Sequence, residues 1–338
     1  MFAQFMENFL PSLDNIMREV LDSLHGLPPD FDVMLRYPLG WVDEHNRPYH
    51  QPTGKRIRPA LLLLCTGAAG GDWHMALPAA AAVELLHNFS LVHDDIQDNS
   101  PTRHGRPTVW KIWGAANAIN AGDALFSLAF TALEWLSKVG VSQDTVLKVW
   151  QIFNRTTLEL TRGQHLDMRF ERQAVVTVEE YITMIRGKSA ALVAACAQMG
   201  ALIATNDDRL SECYANFGLN LGIAFQIRDD ILGIWGKPSV TGKSAATDII
   251  SRKKSLPVLY GLSQSQELAA IYQGENAGET SVEQTIRILE QVGARDYALE
   301  SETHYYRNAI GSLERANPSG QAGEWLMQLV NTLFQREY

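Results

Sequence analysis

Apolar residues recur at helical spacing along almost the whole chain, and strand patterns are nearly absent. Alternating β-branched runs bounded by turn residues, the mark of a half-buried strand, are hardly found. A chain that makes helices but not sheets must bury its apolar stripes helix on helix. The spacing predicts helices over 2–25, 59–66, 76–97, 115–138, 142–171, 177–204, 207–232, 255–262, 281–292, 294–316 and 320–334. Two polar loops stand out, NRPYHQPTGKRIRP (46–59) and GKPSVTGKSAATDIISRKKS (236–255), both rich in Gly, Lys and Arg. No repeat, low-complexity tract or long linker interrupts the pattern. The expectation is an all-α chain, one large domain over residues 1–338, built as a bundle of long helices with short connections.

Composition narrows the function classes. With 46% hydrophobic and 20% charged residues, the chain reads as a globular protein. Its formal net charge of −9 argues against nucleic-acid binding, which needs a basic footprint. An anionic small molecule stays open, because a local basic pocket can sit in an acidic protein. Cys65, Cys196 and Cys213 form neither a metal-ligand pattern nor a disulfide framework, so a reducing cytosol is the expected compartment. The N-terminal residues lack a basic n-region and read as an amphipathic helix, not a signal peptide. The longest uncharged stretch, 189–206, is Ala-rich and carries Gln198 and Gly200. It is expected to be a core helix and not a membrane span.

Two acidic clusters carry chemistry. Asp94, Asp95 and Asp98 close the segment ELLHNFSLVHDDIQD, and Asp229 and Asp230 close FQIRDDIL. Each follows an apolar helical run. Asp94 and Asp98 share a helix face, with Cβ atoms about 5–6 Å apart. Acids near a helix C-terminus oppose the macrodipole, so crowding them there costs stability unless a cation is bound. A solvated helix end is the plain alternative. It is the better reading for NDDRL (206–210), where Asp207 can cap a new helix. Hard divalent cations such as Mg2+ take oxygen ligands, often one or two carboxylates plus substrate phosphates. Positive charge comes from GKRIRP (Lys55, Arg56, Arg58), IRGKS (Arg186, Lys188), TGK (Lys243) and RKKS (Arg252, Lys253, Lys254). Together these groups suggest a pocket for phosphates, held partly by metal and partly by Lys and Arg. GKRIRP is not a Walker loop, since the GxxxxGK[ST] spacing is missing.

The ordered set GKRIRP, ELLHNFSLVHDDIQD, RHGRPT, NAGDAL, GQHLDM, GKSAAL, FQIRDDIL, TGK and KKS resembles the trans-isoprenyl diphosphate (polyprenyl) synthases over most of the chain. The resemblance implies long antiparallel helices around a central cavity. It implies condensation of isopentenyl diphosphate with an allylic diphosphate, three Mg2+ ions with substrate bound, and a homodimer packed through residues such as 120–130. By the same resemblance, Asp94 and Asp98 coordinate Mg2+ on the allylic diphosphate with Asp95 in support. Asp229, with Asp230, holds a further ion. Arg103, Lys188, Lys243 and Lys253 contact the allylic diphosphate, and Lys55, Arg58 and His87 the isopentenyl diphosphate. Gln164 and Gln226 line the reacting centre, and Ser189 stands where the family usually has Thr. Asp94, Asp98, Lys188, Gln226 and Asp229 form the implied catalytic set.

Three departures are visible. His104 stands where the family commonly has a second Arg and is expected to weaken one contact to isopentenyl diphosphate or make it pH-dependent. Gly233 replaces the last acid of the second motif. The C-terminal REY is less basic than in many members. Product length in the family is set just upstream of the first aspartates. Here Phe89 stands at the fifth position before Asp94 and Ser90 at the fourth, a pattern resembling geranylgeranyl diphosphate synthases. Periodicity places Phe89 nearly opposite Asp94 and Asp98, so a plain core aromatic is its alternative. A farnesyl or longer-chain synthase, a class I terpene cyclase and a regulatory subunit are the competing readings. Lys55, Arg58 and His87 speak against the cyclase, and the intact aspartates against the subunit.

Overall fold

The computed structural model describes residues 2–49, 54–236, 247–273 and 279–334. Helices α1 to α6 are Phe2–Asp22, Pro29–Arg36, Ile57–Ala68, Leu77–Gln97, Val109–Trp113 and Ala115–Glu134. Then come α7 Gln143–Arg172, α8 Val178–Ile185, α9 Ala191–Thr205 and α10 Asp208–Trp235. Helices α11 to α16 are Thr247–Ile250, Leu256–Gln264, Gln266–Gln273, Glu279–Gln291, Ala294–Ala316 and Gly320–Phe334. The all-α expectation holds, and most predicted helices return with shifted ends. Helices α2, α5, α11 and α13 were not expected.

The described strands amount to one two-residue hairpin, Thr102–Arg103 paired with Arg106–Pro107. Its turn residues His104 and Gly105 have φ of 51° and 76°. Positive φ at both central positions is what a tight I′ turn requires.

The chain gathers into two compact units. The first is Met1–Gln151 with Met199–Asn206 and Ser319–Gly323; the second is Ile152–Gln198 with Asp207–Pro318 and Glu324–Tyr338. No linker in the sequence marks this boundary, because it falls inside α7 and α9. In the first unit α4 is the central element: Ala79 to Val83, Leu85 and Leu86 are fully buried. A helix apolar on all sides is one that lies inside. In the second unit a core of Tyr181, Met184, Ile223, Ile227, Ile231, Leu256 and Ala298 joins α8, α10, α12 and α15.

Local signals set the helix ends. Thr177 and Glu180 form a complete capping box at the start of α8. Asp207 accepts from the backbone N–H groups of Arg209 and Leu210 and starts α10, as its position in NDDRL predicts. Two stretches, Trp73–Gln97 and Val178–Thr205, are long and apolar enough to cross a membrane by composition; 72% and 56% of their apolar windows are buried inside the protein.

Candidate functional site

The first acidic segment ends α4. Asp98 is its C-cap residue, and the Asp98 N–H donates to the Asp94 carbonyl at 2.8 Å. Asp94 is half-buried and Asp98 exposed, whereas Asp95 is buried at 4% exposure. Successive helical residues point about 100° apart, so Asp95 cannot share the face of its neighbours. It turns to the hairpin, where Arg103 Nε lies 2.9 and 3.1 Å from its two oxygens and Nη2 2.8 Å from Oδ1. Burial pushes the Asp95 carboxyl above its usual range, and Arg103 opposes that push. In this structure Asp95, expected in support of the metal ligands, holds the hairpin, and two nitrogens of Arg103 are engaged with it. Arg106, the other arginine of the hairpin, lies between the rings of Tyr37 and Tyr49, 3.8 and 4.0 Å from their centroids, and donates to the Val42 carbonyl at 2.8 Å. Its role is to pin the hairpin.

Four predicted residues meet in one cleft of the first unit. Lys55, Arg58, His87 and His104 line a space of about 470 Å3, with Leu91 and Asn88 beside them. Arg58 Nη1 lies 3.2 Å from His87 Nε2. Burial, then the charge of Arg58, hold His87 well below the usual histidine range, so the ring is neutral and can accept from Arg58. Arg56, the middle cation of GKRIRP, also borders the cleft, but its guanidinium is engaged by the protein. It pairs with the buried Glu84 and donates to the Leu39 carbonyl at 3.0 Å, fixing the start of α3 against α4.

Phe89 points from α4 onto α6, as its place opposite the aspartates requires. Its ring centroid is 5.1 Å from Phe126 and 4.7 Å from His93. The contact continues through Phe130 to Trp150 at 5.2 and 5.0 Å. Ser90 Oγ folds back onto the His87 carbonyl at 2.8 Å.

In the second unit the Arg186–Ala190 segment, RGKSA, is a π-turn between α8 and α9. Such turns insert a residue into a helix and often occur at functional sites. This one is set by a backbone contact: a Cβ on Gly163 would lie 2.1 Å from the Lys188 nitrogen. Gln164 follows Gly163 on α7, so the contact brings the GQHLDM and GKSAAL segments together. Lys188 Nζ pairs with Asp167, and Ser189 Oγ donates to Gln226 Oε1 at 2.7 Å.

Asp229 is exposed at the last turns of α10, and Asp230 is fully buried. The carboxylate of Asp230, expected beside Asp229 as a metal ligand, is turned inward in this structure. Oδ2 accepts from the Tyr181 hydroxyl and, at 3.1 Å, from the Leu256 N–H. Oδ1 accepts from Gln226 Nε2 at 3.2 Å and lies 3.6 Å from Lys253 Nζ. Burial and the Asp230 charge hold the Tyr181 hydroxyl protonated, well above the usual tyrosine range. Burial lowers the Lys253 pKa, but Asp230 and then Asp248 outweigh it and raise the ammonium above the ordinary lysine range. Each Asp-Asp pair thus divides its labour by helix geometry, the first residue outward and the second as an internal anchor.

Lys243 and the C-terminal REY lie outside the described residues. Among the described residues no three His, Cys, Asp or Glu side chains converge as a group able to hold an ion. Asp167, Tyr181 and Asp248 were not singled out from sequence. Asp167 alone had a signal, its place in GQHLDM beside Gln164.

An all-helical frame with these ordered motifs is that of a prenyl-transferring enzyme, a transferase of isoprenoid chains. The chain belongs to the polyprenyl synthetase family, whose sequence pattern matches residues 40–289. A (2E,6E)-farnesyl diphosphate synthase of Mycobacterium tuberculosis is 38% identical over 95% of this chain and 89% of its own. A geranylgeranyl diphosphate synthase of the same organism is 40% identical over 89% of this chain and 83% of its own. The solved geranylgeranyl pyrophosphate synthetase from Pyrococcus horikoshii matches with a TM-score of 0.87 at 34% identity, covering 99% of this chain and 98% of that one.

Proposed function

We propose that the protein condenses isopentenyl diphosphate with allylic diphosphates, head to tail and trans, in a Mg2+-dependent reaction that ends at geranylgeranyl diphosphate. The observation that carries this is the cleft in which Lys55, Arg58, His87 and His104 meet. A terpene cyclase ionises one diphosphate and has no use for a second cationic cleft. The outward aspartates Asp94, Asp98 and Asp229 offer oxygen donors in ones and twos. This suits Mg2+, which keeps several waters and completes its shell with substrate phosphates. When bound, the ions neutralise charge on the leaving diphosphate.

The remaining work falls to side chains. Lys188 and Lys253 stabilise the diphosphate as the allylic C–O bond breaks. Lys55 and Arg58 hold the diphosphate of the second substrate, with neutral His87 donating from Nδ1. The double bond of isopentenyl diphosphate attacks the allylic cation, and the proton lost passes to the departing diphosphate. A second copy of the chain, packed through 120–130, and a cytosolic setting complete the proposal.

The product assignment rests on Phe89 at the fifth position and small Ser90 at the fourth. The likeness to the mycobacterial farnesyl diphosphate synthase favours the shorter product as the second reading. Incubation with Mg2+, isopentenyl diphosphate and each allylic primer, followed by product sizing, decides between them. In the same assay Phe89→Ala is expected to lengthen the product by at least one isoprene unit. An unchanged distribution removes Phe89 as the stop. His104→Arg is expected to lower the KM for isopentenyl diphosphate about threefold to tenfold, because a charge-assisted hydrogen bond replaces one that depends on protonation. An unchanged KM between pH 6 and 8 in both proteins would overturn that assignment.

A further inference from the structure

The three cations of RKKS do not face one way. Lys253 turns to Asp230, with its Nζ 3.6 Å from Oδ1. Arg252 and Lys254 line a different space, a cleft of about 1120 Å3 that lies wholly in the second unit. It is more than twice the size of the cleft around Lys55 and Arg58, at about 470 Å3. Lys254 closes the end of α7: its Nζ donates to the Phe170 carbonyl at 2.6 Å and to the Gln173 carbonyl. An ammonium has three donors, so one is left for another acceptor. The Arg252 guanidinium is held less. Its one hydrogen bond among the described residues runs to the Tyr272 carbonyl at 3.5 Å, the weak limit of such a contact. Arg172 brings a third, exposed cation, and Glu171 is the single acid of the lining. Tyr272 brings a buried hydroxyl that has no hydrogen-bond partner among the described residues. The rest of the lining is mostly aliphatic. Val176 and Leu259 are buried, Leu262 and Ala269 partly so, and Val175 is 75% exposed.

Unspent cationic donors beside an aliphatic wall fit an anionic head that carries a hydrocarbon tail. Lys and Arg both bind phosphate groups, the first as a point charge and the second as a fork. One carboxylate among three cations cannot hold a divalent ion, so the head must be bound directly. We propose that this cleft is a second binding site, for a phosphate or diphosphate ester with an aliphatic tail, and that it takes its ligand without a metal ion. Arg252 and Lys254 hold the head, and Val176, Leu259 and Leu262 cover the tail. Binding here uses neither the outward aspartates nor Lys55 and Arg58, so it stands apart from the condensation reaction.

Farnesyl diphosphate in EDTA is the test ligand. Binding is read by calorimetry, and the melting temperature checks the fold. With neither Mg2+ nor isopentenyl diphosphate present, the readout is independent of turnover. The unaltered protein is expected to bind the ligand. Arg252→Gln and Val175→Glu are each expected to weaken this binding about tenfold or more. The first removes a charge-assisted hydrogen bond, and the second puts a like charge beside the head. Val175 is exposed, so Val175→Glu should melt with the unaltered protein. A further molecule held by Lys55 and Arg58 would be lost in Arg58→Met, whereas the one in this cleft stays bound within about threefold. Inorganic diphosphate is the head without the tail, and farnesol the tail without the head. Each should bind at least about tenfold more weakly than farnesyl diphosphate. No binding in EDTA, unchanged affinity in Arg252→Gln or Val175→Glu, or a loss of all binding in Arg58→Met overturns the proposal. Equal affinity for inorganic diphosphate or for farnesol overturns the assigned class of ligand.

Discussion

Asp94→Asn is expected to abolish most of the condensation activity while leaving the fold as stable as before. The loss should reach at least about a hundredfold in kcat, the scale on which an electrostatic stabiliser of the breaking bond acts. Stability should hold or rise slightly, because an acid in the last turn of α4 opposes the helix dipole by about 0.3–1 kcal/mol. The melting temperature gives a second readout. In the unaltered protein it should rise when Mg2+ and inorganic diphosphate are added together, since a ligand that binds only the native state stabilises it. In Asp94→Asn that rise should shrink sharply. A variant that keeps its activity, or one that loses activity only because it melts, would remove Asp94 from the site.

The opposite signs expected for activity and stability at Asp94 do not extend to its neighbour. Asp95 is buried and its oxygens accept from Arg103, so its carboxylate belongs to the structure of the hairpin. The same division recurs at Asp229 and Asp230. A chain that needs one outward carboxylate at the end of an apolar helix also needs something to hold the next segment close to it. The second aspartate, about 100° round the helix, does this by gripping Arg103 in one case and Tyr181, Gln226 and the α12 N-terminus in the other.

Much of this was legible in the sequence. The long helices were plain because their apolar spacing persists over many turns. The cationic cleft followed from GKRIRP and His87. The hairpin escaped, because strands of two residues show no alternation and His-Gly is a weaker turn signal than Asn-Gly. The division within each Asp-Asp pair escaped for a different reason. Helix geometry says that the two residues diverge, but only the packing says which one faces inward. The close approach of Asp248 to Gly233 escaped as well. That relation joins positions fifteen apart through space, and no periodicity carries it. Phe89 was placed correctly opposite the aspartates. Its contact with Phe126 on α6 needed the packing of α4 on its neighbour.

Gly163→Ala is the prediction on which local propensity and packing disagree most. Inside a helix, alanine is favoured over glycine by about 1 kcal/mol, so propensity alone expects the variant to be more stable. Packing expects the reverse. The new Cβ would meet the Lys188 nitrogen at 2.1 Å and the Gly187 carbonyl carbon at 2.6 Å. These are backbone atoms of the π-turn and cannot rotate away as a flexible side chain would. Relief requires α7 to move from the turn, and with it Asp167 from Lys188 and Gln164 from its place beside them. Overpacking of this kind costs about 1–3 kcal/mol or more, enough to reverse the gain in propensity. A shift of about 1 Å at Lys188 would cost roughly a hundredfold in rate. The expected result is a melting temperature lower by a few degrees and a kcat reduced further than the unfolded fraction explains. A higher melting temperature with full activity would mean that the two helices do not approach so closely, and that the glycine serves no packing purpose. The sign of one stability change therefore decides whether the π-turn is held by its own sequence or by the helix it rests on.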